Sequence, residues 1–345
     1  RPTGTDRYAV PFEAPACLRN PHAQTLYAAC LAPCPRIAWR RERWSCPDGD
    51  FIDLDWLAAR RGTARAGWQP APLIVLFHGL EGSSRSHYAR TLMHAIHIRG
   101  WRGVVVHFRG CSGEPNRLPR AYHSGDTAEI DWVLRRLRAE HGSPLAAVAV
   151  SLGANALLKW LGEQGDAARA MLAAAWAISA PVGLSAAGAA LEGGFNRLYT
   201  WNFLRTLKRK AAKMLLLHPK LLLDARAMHA ARTLRAFDDH VTAPLHGFID
   251  ARDYWLRSSS KPWLRHIAVP TLVLNARDDP FLPAHALPDA ADVSAAVTLE
   301  QPAHGGHAAF VSARFPGSLG WMPQRVLGFI EAALAAGPAG RPGVA

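Results

Sequence analysis

Short apolar runs alternate with segments of helical periodicity along most of the chain. Runs rich in valine, isoleucine, leucine and alanine predict strands at Leu73–Phe77, 103–108, 146–150, 174–180, 271–275 and 296–299. Between and after them, apolar residues spaced three or four apart predict helices at 86–98, 127–140, 153–162 and 324–335. Continuous apolar strands joined by helical crossovers form a parallel sheet that is covered on both faces. The pattern therefore predicts an α/β protein.

Two further β-type stretches precede this region and predict a hairpin. They span 36–46 and Phe51–Leu57, and the turn residues Pro47-Asp48-Gly49-Asp50 separate them. The Asp-Gly step is typical of a tight turn between antiparallel strands. We expect a mostly parallel central sheet with an antiparallel N-terminal hairpin at one edge.

The segment between the predicted strands at 174–180 and 271–275 is too long for a simple crossover and indicates an insertion. We expect three parts: an N-terminal extension packed on the core at 1–35, a core at 36–181 and 262–337, and an inserted helical cap or lid at 182–261.

Residues 171–191 carry no charge and are numerous enough to span a bilayer. Pro181 and Gly183 interrupt them at the centre, however, and alanine is the commonest of the others. We therefore expect a buried strand followed by a loop of small residues.

Composition excludes several classes of protein. The 345-residue chain is 49% hydrophobic, and its formal net charge of +13 comes mostly from dispersed basic residues. A dispersed charge is weak evidence for an anionic partner, so we expect no nucleic-acid binding. The five cysteines include no Cys-x-x-Cys pair, which indicates reduced thiols and no zinc module. No signal-peptide pattern occurs at the start, so we expect a cytoplasmic protein. We also expect no cofactor and no metal.

Residues 203–217 hold the one concentrated group of basic residues, interleaved with apolar ones. Such a pattern occurs in helices that touch anionic lipid surfaces. We favour a cap helix that packs its leucines on the core and leaves its cations in water. Membrane contact would then be at most peripheral and through the cap.

Ser151 lies where an apolar strand pattern meets a turn of small residues and then a helical pattern. This is the sequence shape of a nucleophile elbow, a sharp turn that exposes a serine hydroxyl at the end of a sheet. The positions two before and two after the serine must be small, and they are Ala149 and Gly153. Because glycine is usual at both, these residues alone leave open a buried strand followed by an ordinary turn.

A His-Gly step follows the predicted strand Leu73–Phe77. Such a step turns the backbone so that an amide points into the site of an α/β hydrolase. We expect an oxyanion hole made by the N–H groups of Leu80 and of Leu152, the residue after the serine. An ordinary glycine-rich loop is the alternative.

The last two predicted strands are followed by acidic and histidine residues. We favour Asp279 over Asp278 as the acid, and His307 over His304 as the base, because His307 ends a Gly-Gly pair. A serine hydroxyl needs a base that removes its proton, and the base needs a carboxylate that orients it. The chain order Ser151, Asp279, His307 is that of the α/β-hydrolase triad.

Several longer strings are more specific than this triad. They are NPHAQT at 20–25, HGLEGSSRSHYAR at 78–90, HFRGCSGEPNRLPRAYHSGDT at 107–127, SLGANALLKWLGE at 151–163, FDD at 237–239, NARDDPF at 275–281 and GGHAAF at 305–310. They resemble the YheT-like branch of the α/β-hydrolase superfamily, which includes the eukaryotic α/β-hydrolase domain proteins 1, 2 and 3. The resemblance extends from about residue 11 to residue 336.

The resemblance implies a serine hydrolase with esterase or lipase-like activity on carboxylic esters, and on acylglycerols or phospholipids in eukaryotic relatives. It implies Ser151 as nucleophile, the acid within the Asp278-Asp279 pair and His307 as base. The chain departs from the family at Ala149 and Ala154, where glycine is commoner, and both replacements are small.

Our leading hypothesis is a serine esterase that cleaves a small-molecule ester through an acyl-enzyme. Acyl lipids are among the candidate substrates. A ligand-binding protein that keeps the fold without catalysis is the alternative. Metal-dependent hydrolysis is disfavoured because the histidines lack recognisable ligand spacing: His78, His107, His123, His304 and His307. We expect the loop at 109–116 to be structural.

Overall fold

A computed structural model describes residues 11–58, 71–142 and 145–336 of the chain. Its strands form one eight-stranded sheet: β1 Trp39–Ser45, β2 Phe51–Leu57, β3 Leu73–Phe77, β4 Arg102–His107, β5 Leu145–Val150, β6 Ala174–Ile178, β7 Thr271–Leu274 and β8 Val297–Glu300. The strand order is β1-β2-β4-β3-β5-β6-β7-β8. β2 is antiparallel to β1 and β4, and the other neighbouring strands are parallel. The predicted fold class, a mostly parallel sheet with an antiparallel hairpin, is confirmed.

The described residues form eleven α-helices. They are α1 Pro21–Cys30, α2 His87–Ile98, α3 Thr127–His141, α4 Leu152–Gln164, α5 Leu184–Leu191, α6 Asn196–Leu217, α7 Ala225–Ala230, α8 Leu234–Phe237, α9 Ala243–His246, α10 Ala251–Ser258 and α11 Trp321–Ala336. A π-helical turn, Asp238–Thr242, joins α8 to α9.

Helices cover both faces of the sheet because side chains alternate along each buried strand. Val75 and Phe77 of β3 pack in one apolar cluster with α3 and α4. Ile74 and Leu76 of the same strand pack in a second cluster with α2 and α11. Because β3 to β8 are parallel, their carboxyl ends meet at one edge of the sheet. Open α/β sheets bind ligands at this edge.

The predicted strands and core helices differ from the observed bounds by at most three residues at either end. The expected loop of small residues after β6 was wrong, because Leu184–Leu191 forms α5. Helix α1 was not predicted, although its start carries a recognisable capping signal. The Asn20 side chain accepts hydrogen bonds from the N–H groups of His22 and Ala23, and Pro21 occupies the first turn.

Helices α5 to α10 are inserted between β6 and β7. The inner face of α6, which includes Leu204 and Ala211, packs on other inserted elements through Met228, Phe237 and Val241. The prediction that this helix packs its leucines on the core is therefore wrong for most of its length. The boundaries of extension, core and cap stay predictions, and residues 1–10, 59–70, 143–144 and 337 lie outside the described residues.

The outer face of α6 exposes apolar side chains between basic ones. Leu198, Trp201 and Leu216 are 47%, 59% and 81% exposed, and Arg205 and Arg209 are exposed beside them. Membrane contact through this face stays a prediction. Within the part of the chain that the structure describes, no helix combines the length and the apolar character that a membrane span requires.

Candidate functional site

Ser151 occupies a sharp turn between β5 and α4. Its backbone has φ 53° and ψ −120°, a conformation that non-glycine residues adopt only where the surroundings impose it. Its N–H donates to the carbonyl oxygen of Ile178 at 2.8 Å, which ties the turn to the end of β6. A β-carbon on Gly153 would lie 2.5 Å from the His78 carbonyl oxygen, so a small residue is required two positions after the serine.

His307 hydrogen-bonds Ser151 through one ring nitrogen and Asp279 through the other. The distance from His307 Nε2 to Ser151 Oγ is 2.9 Å, and Nδ1 lies 3.0 Å and 3.1 Å from the two carboxylate oxygens of Asp279. An ionised carboxylate can only accept, so Nδ1 carries the proton and Nε2 is free to accept from the serine hydroxyl. This tautomer is the one that a general base requires.

Asp278 has a different position from Asp279. Its carboxylate accepts the Gly306 N–H at 3.0 Å and lies 3.2 Å from His304 Nδ1, so it supports the loop that carries His307. Burial raises the pKa of Asp278 above its usual value. The structure thus brings Asp279, and not Asp278, against His307. His304 lies 43% exposed beside Asp278.

Two residues outside the predicted set hold His307 in place. Thr25 Oγ1, on α1, accepts the His307 N–H at 2.9 Å. Gly306, with φ +57°, leaves room for this threonine, because a β-carbon there would lie 2.7 Å from Thr25 Oγ1. The Phe281 ring stacks on the imidazole with centroids 4.0 Å apart. The string at 20–25 contained the signal for Thr25, but nothing in the sequence relates that string to a histidine 282 residues later.

The loop after β3 carries Leu80, and the oxyanion hole of the Leu80 and Leu152 amides stays a prediction. Leu80 and Leu152 both line a cavity that Ser151 and His307 also line. Leu152 is the first residue of α4, so its N–H has no partner within the helix. The Leu80 N–H has no acceptor among the described residues. His78 is fully buried, which lowers its pKa to about 3, and its Nε2 accepts the Phe108 N–H at 3.1 Å.

The cavity has a volume of about 510 Å³ and lies between the carboxyl edge of the sheet and the inserted helices. Its core wall contains Ser151 and His307, and the opposite wall is mostly apolar. The apolar lining from the inserted helices includes Leu184, Leu191, Phe203, Leu207, Met214 and Leu217. The arrangement places a hydrogen-bonded serine at the base of a largely apolar chamber.

The loop at 109–116 is held by a buried ionic cluster. The Arg109 side chain is 3% exposed and forms ion pairs with Asp48, Asp50 and Glu129 at 2.9, 3.0 and 2.6 Å. The Asn116 amide donates to Asp50 at 2.9 Å. These contacts fasten the end of β4 to the β1–β2 turn and to α3, which favours the expected structural role for this loop.

The other conspicuous histidines each have their own partner. His107 Nε2 lies 2.8 Å from Asp55, and the rings of His123 and His246 lie 4.5 Å apart. Within residues 11–58, 71–142 and 145–336, no three His, Cys, Asp or Glu side chains are grouped closely enough to hold a metal ion.

Comparison with known proteins identifies relatives. A family model described as the alpha/beta hydrolase fold matches residues 72–313. YheT of Escherichia coli strain K12, provisionally named an esterase, is 40% identical over 309 residues, or 89% of each chain. The phospholipase ABHD3 of Mus musculus is 30% identical over 314 residues, covering 90% of this chain and 75% of the mouse protein. The solved esterase Pf2001 of Pyrococcus furiosus shares the fold, with a TM-score of 0.52 and 15% identity over 86% of this chain and 91% of its own.

Proposed function

The chain belongs to the YheT-like branch of the α/β-hydrolase family, and we propose that it is a serine hydrolase that cleaves carboxylic esters through an acyl-enzyme. One observation carries the proposal. Ser151, His307 and Asp279 form a continuous hydrogen-bonded chain, with 2.9 Å from Ser151 Oγ to the imidazole and 3.0 Å from the imidazole to the carboxylate. The serine end of this chain opens into the cavity.

In the first half-reaction, Ser151 Oγ attacks the ester carbonyl carbon while His307 Nε2 takes the hydroxyl proton. Asp279 stabilises the resulting imidazolium. The carbonyl electrons move to its oxygen, and the N–H groups of Leu80 and Leu152 stabilise the negative charge. When the intermediate collapses, the bond to the alcohol oxygen breaks and the imidazolium gives its proton to that leaving group. The acyl group remains on Ser151.

In the second half-reaction, water takes the place of the alcohol. His307 removes a proton from the water as its oxygen attacks the acyl carbonyl, and the same two amides stabilise the charge. Collapse breaks the bond to Ser151 Oγ, which recovers its proton from the imidazolium. The products are a carboxylic acid and the free enzyme, so no cofactor enters the balance.

The cavity supports esters with an apolar acyl or alkyl group as the substrate class. Its volume of about 510 Å³ and the leucine, methionine and phenylalanine side chains of its cap wall suit a hydrocarbon chain of medium length. Two of the relatives are named an esterase and a phospholipase, which agrees with an ester of a fatty acid. We include acyl lipids within the proposed class.

The test compares Ser151→Ala with Ser185→Ala in the purified full chain. Ser185 is an exposed serine of α5 and is not among the residues that line the cavity. With p-nitrophenyl butyrate as substrate, we expect Ser151→Ala to abolish turnover and Ser185→Ala to preserve it. A fluorophosphonate should add one adduct mass to the wild-type protein and none to Ser151→Ala. Turnover by Ser151→Ala at the wild-type rate would disprove the proposal.

The same experiment separates the enzyme from a non-catalytic binding protein. A binding protein would bind fatty esters or acids in the cavity, yet would neither turn over any ester of the series nor react with the fluorophosphonate. The tautomer that the Asp279 contact imposes on His307 favours the enzyme, because a binding site has no need of a poised base.

A further inference from the structure

The proposed oxyanion amide of Leu80 lies between two peptide groups that are each fixed by hydrogen bonds. On one side, the Gly79 N–H donates to Tyr88 Oη at 3.0 Å, and the Gly79 carbonyl oxygen, which shares a peptide group with the Leu80 N–H, accepts the Gly82 N–H at 2.9 Å. On the other side, Glu81 donates its N–H to Tyr122 Oη at 2.8 Å. A donor that is held still before the reaction stabilises developing charge without reorganising. The loop is therefore preorganised from both sides of Leu80.

Glu81 adopts an unfavourable backbone conformation for its residue type. Its φ is 56°, in the left-handed region that non-glycine residues occupy when surrounding contacts impose it. Tyr122 imposes it twice, since its hydroxyl accepts the Glu81 N–H and donates to Glu81 Oε1 at 2.8 Å. The Tyr122 ring is itself fixed, stacked on Phe108 with an interplanar angle of 3°.

The third contact to Glu81 comes from the inserted helices. Lys210 of α6 donates to Glu81 Oε1 at 2.7 Å and to Cys111 Sγ at 3.3 Å. The Glu81 side chain is only 10% exposed and that of Lys210 37%, so this ion pair is better shielded than most surface pairs. Lys210 also lines the cavity. A cation from the inserted helices thus fixes the residue directly after the oxyanion amide.

We propose that Lys210 and Glu81 are positioning residues that hold the Leu80 amide in its oxyanion-binding orientation, so that the full rate of hydrolysis requires α6 to be docked against the oxyanion loop. The inference rests on the proposed serine mechanism and adds a dependence of that mechanism on the cap. An undocked α6 removes one of the three contacts that hold Glu81 in its left-handed conformation. The oxyanion hole then loses preorganisation while Ser151, His307 and Asp279 keep their own contacts.

The test uses Lys210→Met with Arg209→Met as matched control. Arg209 directly precedes Lys210 on α6, is exposed to solvent, and is not among the residues that line the cavity. For p-nitrophenyl butyrate, we expect Lys210→Met to lower kcat about tenfold to thirtyfold, part of the loss that removal of an oxyanion donor causes, with KM changed less than about twofold. We expect Arg209→Met to leave kcat unchanged. Lys210→Arg, which keeps the cation, should restore most of the rate.

Inhibitor binding distinguishes positioning from a structural role. An alkyl trifluoromethyl ketone forms an oxyanion with Ser151, whereas the matching alkyl amide binds without one. In Lys210→Met we expect the affinity for the ketone to fall by the same factor as kcat and the affinity for the amide to stay constant. A structural defect would instead weaken both ligands and lower Tm.

Glu81→Gln keeps the side-chain shape and provides a second route to the same answer. Its kcat should equal that of Lys210→Met. The double variant should be no slower than the slower single variant, because both substitutions break the same contact between Lys210 and Glu81. If the wild type hydrolyses esters and Ser151→Ala does not, yet both single variants keep full kcat, the positioning role is wrong and the serine mechanism stands. If the wild type hydrolyses no ester, the proposed function itself fails.

Discussion

The two walls of the cavity are built by different interactions. On the core wall, Ser151, Asp279 and His307 follow the ends of β5, β7 and β8, and hydrogen bonds of 2.9 to 3.1 Å join them. On the cap wall, Leu191 and Leu207 of α5 and α6 present apolar side chains without specific partners. Polar atoms on the core wall are fixed in position, whereas apolar side chains on the cap wall define a shape.

The two kinds of interaction give the two walls control over different properties. Charge that develops on a reacting group responds to displacements well below 1 Å, so chemistry needs hydrogen bonds anchored to rigid strand ends. Van der Waals contacts vary gradually with volume, so the cap wall sets which chain fits and by how much. We therefore expect core-wall substitutions to change kcat sharply and cap-wall substitutions to change substrate preference. Lys210 is an exception, because it lies on the cap wall and contacts the core loop.

We expect the largest change in kcat on the core wall, where the two adjacent carboxylates Asp278 and Asp279 should differ strongly in their importance. Asp279→Asn should lower kcat about 10³- to 10⁴-fold, because an amide neither stabilises the imidazolium nor enforces the Nδ1–H tautomer. Asp278→Asn weakens only the hydrogen bonds to Gly306 and His304, and we expect a loss of about fivefold, the equivalent of one ordinary hydrogen bond. Steady-state kinetics on p-nitrophenyl butyrate measures both. Equal losses would mean that the two carboxylates share the role.

The core wall was largely predictable from sequence because short local patterns mark the residues that form it. A nucleophile elbow, a His-Gly step and polar residues after late strands each mark a strand end, and parallel strands bring those ends together. Asp279 was favoured over Asp278 by pattern, and its contact with His307 decides which carboxylate faces the imidazole. Thr25 was missed because its role depends on where α1 packs, which no local pattern encodes.

The cap wall was not predictable to the same depth, for a physical reason. Residues 203–217 carry apolar side chains around most of the helix, so periodicity does not say which leucines face the cavity. The structure turns Leu207 inward and leaves Leu216 81% exposed. That choice depends on Met228, Phe237 and Val241, which pack on α6 from later in the chain. Long-range apolar packing is non-directional, so many arrangements satisfy the same sequence.

The cap wall also contains a buried titratable group, Asp238, which makes the stability of this wall depend on pH. Asp238 accepts hydrogen bonds from Thr242 Oγ1 at 2.6 Å and from Trp255 Nε1 at 2.8 Å. Burial raises the pKa of Asp238 from 3.8 to about 6, so the folded protein keeps a proton that the unfolded chain releases. This contribution to stability is fully present below pH 3.8 and is lost as the pH rises through about 6.

Asp238→Asn cannot ionise and removes this loss. We expect the difference in unfolding free energy between the variant and wild type to shift in favour of the variant between pH 4 and pH 7, by at most about 3 kcal/mol. Urea titrations at the two pH values measure it, because other carboxylates titrate equally in both proteins. Asp166→Asn, at a side chain 90% exposed, controls for the loss of a negative charge. A pH-independent difference would contradict the raised pKa.

The smallest expected effect tests the shape of the cap wall directly. Leu207→Trp fills part of the cavity, whereas Leu198→Trp adds the same group to the exposed face of α6. We expect Leu207→Trp to lower kcat/KM for p-nitrophenyl octanoate about tenfold relative to the acetate, which corresponds to displacing one or two methylene groups. Leu198→Trp should leave the chain-length profile of wild type unchanged. If Leu207→Trp reduced the rates of both esters equally, the substitution would be acting on the chemistry of the core wall. That result would contradict the claim that the cap wall controls substrate preference alone.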